Sequence, residues 1–154
     1  MTYMHAISEE LYTLLNGKEI ESKQHEAFML LTVSEDLWPH TAMVSVGEVV
    51  ATDASTLRIA LWPQSTTTQN IIRTGKAMLV LFYKGKACYI TLSLEQLPAL
   101  DNPHYLRARF EAKVTHFRED IAKYADITSG VKINLKESEE VLERWQATIE
   151  ELLI

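Results

Sequence analysis

The stretch YLRARFEAKVTHF, residues 105–117, alternates without a break: Leu106, Ala108, Phe110, Ala112, Val114 and His116 share one parity, and Arg107, Arg109, Glu111 and Lys113 share the other. Strand side chains point to opposite faces in turn, so an alternation this long specifies an antiparallel strand with one core face and one wet face. A helix would spread both sets around its circumference.

The rest of the chain reads around that strand. Ala27–Val33 (AFMLLTV) is apolar on both parities, which predicts a central strand covered on both sides. Residues 38–50 (WPHTAMVSVGEVV) predict a second strand, with Pro39 near its start and Gly47 as a candidate bulge. Turn residues at 52–55 lead into a third, TLRIALW, and the three form a meander. KAMLVLFYKGKACYITLSL, residues 76–94, predicts two strands joined at Lys84-Gly85-Lys86. EQLPALDNPH, with two prolines, is a loop.

Three helices flank these strands. Ile7, Leu11, Leu14 and Leu15 mark one face of the first, which Gly17 can close. A second, of about two turns, follows residue 65. Val141, Leu142, Trp145, Ile149, Leu152 and Leu153 form the stripe of the last, with Asn134 and Glu137 as its candidate cap. The expected fold is mainly β with flanking helices, a six-stranded antiparallel barrel forming a single domain over residues 1–154.

Composition excludes several function classes. A formal net charge of −6 with no basic stripe disfavours nucleic acid and anionic membranes as partners. The N-terminus MTYMHAISEELYTLL lacks a secretory pattern, and no run approaches the roughly 20 apolar residues of a spanning helix, so the expected location is cytoplasmic. The single cysteine, Cys88, allows no internal disulfide and no cysteine-based zinc site, and its strand-like setting suits an inert buried thiol. Glycines at 17, 47, 75, 85 and 130 are too dispersed for a phosphate loop. His5, His25, His40, His104 and His116 show no metal-ligand spacing, so no metal site is assigned.

One segment carries chemistry. In LWPQSTTTQNIIRTG, residues 61–75, four consecutive hydroxyls follow Trp62-Pro63 and open onto an apolar-periodic run that Gly75 can close. Thr66 with Gln69 fits a capping box. Ser65, Thr67 and Thr68 then surround a helix start whose free N–H groups and positive dipole end favour an anion, most naturally a phosphate. Hydroxyls also crowd helix starts that bind nothing, and Trp62 can be a ligand-ring platform or a simple rim residue.

The succession WPHTAMVSV, TLRIALW, QSTTTQNI, KAMLVLFY, within Ala27–Leu94, resembles the pyridoxamine 5′-phosphate oxidase-like superfamily of flavin-binding split barrels. In that family a Pro-containing second strand and a third strand precede a helix start of the form hydroxyl-x-Lys-x-x-Asn-aliphatic. The resemblance implies an FMN-binding homodimeric flavoprotein, an oxidoreductase whose small-molecule substrate and catalytic residues stay open.

Carried over by position, Ser65 matches the family hydroxyl and Asn70-Ile71 the helix continuation, with Thr66 beside them. Met43, Val44 and Ser45 would border the flavin ring, and Leu61, Trp62, Pro63 and Gln64 would pass beside the ribityl chain. Thr67 stands where the family has Lys. Exchanging a charge-assisted bond for a neutral one costs about 1.5–3 kcal/mol, roughly tenfold to a hundredfold in affinity, unless Arg58 or Arg73 compensates. Two alternatives follow: a split barrel that has lost flavin and serves as a binding module, and a haem-binding one with His40 or His116 as axial ligand.

Overall fold

The computed structural model describes residues 5–154, so the first four residues of the N-terminal stretch lie outside it. Its elements are α1 (Glu9–Leu15), a 3-10 turn (Ile20–Lys23), β1 (Glu26–Val33), β2 (Pro39–Ser45), β3 (Val49–Asp53), β4 (Thr56–Leu61), α2 (Thr66–Thr74), β5 (Lys76–Tyr83), β6 (Lys86–Gln96), β7 (Ala108–Asp120), β8 (Val131–Lys132) and α3 (Ser138–Leu152). The fold is mainly β, as expected.

All strand pairs are antiparallel, in the order β2-β1-β5-β6-β7-β4-β3, with the two-residue β8 beside the start of β1. β2 and β3 are the two edges of that path, yet only residues 46–48 separate them in the chain. Four Cα steps reach roughly 14 Å at most, so the sheet must curl until its edges meet there. This closure makes the split barrel. The Ala60 N–H of β4 bonds the Glu48 carbonyl at 2.9 Å and holds the junction against the sheet.

The sequence-based expectations of one strand over residues 38–50, of a meander and of six strands are therefore corrected. β2 pairs with β1 and β3 with β4, and the count is seven strands plus β8. The cause is a turn at 45–48: the Ser45 N–H donates to the Glu48 carboxylate at 2.6 Å, its hydroxyl donates to the same oxygen, and the Glu48 N–H returns to the Ser45 carbonyl at 3.1 Å. Gly47 sits in this turn, not in a bulge.

β5 and β6 form the expected hairpin. Lys84 and Gly85 both have positive φ, the geometry of a two-residue turn whose twist matches the strands. In β7 the expected alternation holds from Ala108 to Val114, after which a register shift against Thr91/Leu92 inserts one residue. Phe117 thereby takes the core position and His116 turns outward. The wet face of β7 is only partly wet, because Arg109 is buried and donates to the Pro98 and Ile154 carbonyls at 3.2 and 3.1 Å.

The core runs from Phe28 and Leu30 of β1 through Leu79, Leu81, Ile90 and Leu92 to Phe110 and Phe117, with Leu11, Leu14 and Leu15 of α1 packed onto it. On β1 the other parity, Met29 and Leu31, stays half-buried, so the expected cover on both sides is incomplete within one chain. The last helix starts later than Asn134 predicted, with Glu137 as its N-cap residue. Residues 131–133 are held extended by pairing with β1 and by the Ile133 N–H bond to the His25 carbonyl at 2.9 Å. α3 then buries Trp145, Thr148, Ile149 and Leu152, while Leu153 is exposed. No helix among the described residues is long and apolar enough to cross a membrane.

Candidate functional site

The hydroxyl segment folds one residue out of the expected frame. The Ser65 N–H bonds the Trp62 carbonyl at 3.2 Å, and this turn makes Ser65, not Thr66, the N-cap. The Ser65 hydroxyl oxygen accepts the Thr68 N–H at 3.1 Å, and the Thr68 hydroxyl donates to the Trp62 carbonyl at 2.6 Å. Gln69 reaches Pro63, at 3.4 Å, instead of closing a capping box. Two of the four hydroxyls are thus consumed by the helix start itself.

Thr67 is different. It is 3% exposed, lines a cleft, and its hydroxyl bonds no other described residue. The first N–H groups of a helix have no acceptor within it. With that of Thr68 taken by Ser65 Oγ, those of Thr66 and Thr67 remain.

The cleft encloses about 180 Å³ between the end of β2, the 45–48 turn, the end of β4, the start of α2, the segment before β7, and α3. Of the expected cofactor residues, Met43, Val44, Leu61, Trp62, Ser65 and Thr67 line it. Pro63, Gln64 and Thr66 flank it without lining it. Ser45 is turned onto Glu48. Asn70 faces β1, where its amide donates to Thr32 Oγ1 at 3.0 Å and its Oδ1 accepts from Arg73 at 3.1 Å, so it braces α2 against the sheet. His40 and His116 lie outside the lining, and among the described residues no group of three or more His, Cys, Asp or Glu could hold a metal.

Sequence reasoning missed the charged part of this cleft: Glu48, Arg107 and Arg144. The compensating arginines it considered are elsewhere. Arg58 holds the Leu152 and Ile154 carbonyls, both at 2.8 Å, and Arg73 holds Asn70 and the Val33 carbonyl. Arg107 instead stacks its guanidinium 4.0 Å from the Trp62 ring centroid and uses one N–H on the Leu106 carbonyl at 3.1 Å. Burial and then the neighbouring Arg144 charge push its pKa down, as expected of cations facing each other without a counter-charge in contact. Glu48 is pushed up by burial, against the lowering effect of its Ser45 bonds and of the two arginines. No local signal could have tied Arg107, one position in a β alternation, to a helix start far earlier in the chain.

Comparison with known proteins places the fold. No family model matches the chain. The uncharacterized protein YclD of Bacillus subtilis (strain 168) is 49% identical over 152 residues, covering 99% of each chain. The chain belongs to the YclD family. Its fold is the pyridoxamine 5′-phosphate oxidase-like split barrel. A candidate pyridoxamine 5′-phosphate oxidase from Lactobacillus delbrueckii superposes with a TM-score of 0.61 at 17% identity, over 77% of this chain and 99% of that one. An FMN-binding protein from Syntrophomonas wolfei gives a TM-score of 0.51 at 18% identity, over 72% and 87%. An F420 reductase gives 0.54 at 14% identity, over 73% and 98%.

Proposed function

We propose that the cleft seats the phosphate of FMN and that the protein is a homodimeric FMN-dependent oxidoreductase acting on a small molecule. The observation that carries this reading is Thr67: a buried residue lining the cleft whose hydroxyl bonds no other described residue, beside two free helix N–H groups and in a cleft that two arginines also line. That donor set fits a dianionic phosphate. Arg107 and Arg144 supply the charge that Thr67, standing where the family has Lys, does not.

The cleft volume of about 180 Å³ is below the roughly 300–1,000 Å³ of complete small-molecule pockets. It suits the anionic end of the ligand and leaves the rest to the open mouth, where Met43 and Trp62 are exposed. A second copy of the chain would complete that mouth. The outer parity of β2, β1 and β5 offers it an apolar face: Val33 and Met43 are exposed, and Met29, Leu31 and Met78 are half-buried.

Bound FMN would supply the electron transfer, and the chain's own residues bind, orient and exclude water. Titrating the flavin-free protein into FMN should quench flavin fluorescence saturably, and Arg107→Gln should weaken binding by roughly tenfold or more. No saturable quenching would refute the reading. The small volume favours one second reading, a split barrel that binds a compact anion and no flavin, which would give calorimetric heat with inorganic phosphate but none with FMN.

A further inference from the structure

We propose that Glu48 is the resident counter-ion of this cleft, and that an anion entering beside Arg107 and Arg144 is matched by uptake of one proton at the Glu48 carboxylate. The inference rests on the anion-binding reading above and adds a role for a residue outside the phosphate-binding set.

Three charged side chains line the cavity, two arginines and one glutamate. Yet none of the ion pairs among the described residues includes Glu48, Arg107 or Arg144. The carboxylate therefore attracts both guanidinium groups across open space, not in contact, and that space is where a ligand enters. A dianion placed there turns a net charge of plus one into minus one. Something must give.

Glu48 cannot swing away, because its Oε2 is held by the Ser45 N–H at 2.6 Å and by the Ser45 hydroxyl. It can accept a proton. The groups facing it are Ser45 from its own turn, Arg107 from the segment before β7 and Arg144 from α3, while the Ala60 N–H of β4 meets only its backbone carbonyl. An anion adds like charge and screens both arginines from the carboxylate, and each effect favours the neutral acid. Burial already pushes the group in the same direction.

Sulfate is the probe, since it stays dianionic over about pH 5 to 8 and cannot itself supply the proton linkage. Trp62 and Trp145 line the cleft and report binding by fluorescence. The wild-type protein should bind sulfate more weakly as pH rises, by up to about tenfold per pH unit where Glu48 ionises. Calorimetry in two buffers of different ionisation enthalpy should show proton uptake. Glu48→Gln should bind sulfate more tightly and with a flat pH profile. Ser45→Ala, which removes one bond to the carboxylate, should move the wild-type profile to higher pH.

Sulfate binding with no proton uptake and equal pH profiles for wild type and Glu48→Gln would overturn the counter-ion role while leaving the anion site intact. Failure of both sulfate and FMN to bind would overturn the site and this inference together.

Discussion

Trp145 of α3 is seated on the bare backbone of Gly47: a Cβ at that glycine would lie 2.0 Å from Trp145 Cγ. The contact joins the last helix to the turn where the barrel's edges meet. Gly47→Ala should cost about 1–3 kcal/mol as overpacking, because the indole must move and the conflict is steric. Urea denaturation followed by tryptophan fluorescence measures it, and unchanged stability would show that α3 does not depend on this seat.

Neighbouring hydroxyls in the 65–68 run should separate into structural and binding roles. Thr68→Val strips the part-buried bond that the fully buried Thr68 makes to the Trp62 carbonyl and should destabilise the fold by about 1–3 kcal/mol. Thr67→Val removes a hydroxyl that bonds no described residue, so stability should change by no more than about 0.5 kcal/mol. FMN affinity should nonetheless fall several-fold. Thermal denaturation and flavin titration on the two variants decide it.

Glu48 also predicts how stability depends on pH. Its folded-state pKa lies above the unfolded value, chiefly through burial, so between those two values the native protein binds more protons than the unfolded chain. Its contribution is then fully present below the unfolded pKa and is lost as pH rises through the folded one. Urea midpoints measured across mildly acidic pH should show this decline, and Glu48→Gln should flatten it.

Cys88 is buried in β6, and burial, reinforced by the Glu119 charge, pushes its thiol up to about 12. Only the thiolate reacts readily. Iodoacetamide at neutral pH should therefore leave the native protein unmodified and label it in denaturant. Rapid labelling of the folded protein would contradict this burial.

Met78 pairs with Leu31 on the half-buried outer parity of β5 and β1. A second copy on this face would bury a charge placed there. Met78→Glu should shift sedimentation from dimer to monomer while the far-ultraviolet circular dichroism stays native. Wild-type protein sedimenting only as monomer would remove the inter-subunit part of the proposed flavin site.

Much of the fold follows from local regularities that need no partner to be read. The alternation of Ala108–Val114, the Lys84-Gly85 turn, the Leu11, Leu14 and Leu15 face of α1 and the Gly75 end of α2 all keep their places, and the start of α2 moves by one residue. Each depends on backbone geometry and on side chains within a few residues of one another, which is what a linear pattern encodes.

Tertiary structure decided the rest. It broke residues 38–50 into β2 and β3, turned His116 out and Phe117 in, buried Arg109 under the end of α3, and gathered Glu48, Arg107 and Arg144 around Thr67. At 38–50 the Ser45–Glu48 turn is itself local and only its seat under Trp145 and its bond to Ala60 are distant; in the other cases the deciding neighbour lies far along the chain, on another strand or on α3. Register between strands and the seating of a helix are settled by side-chain packing, which leaves no period in the sequence.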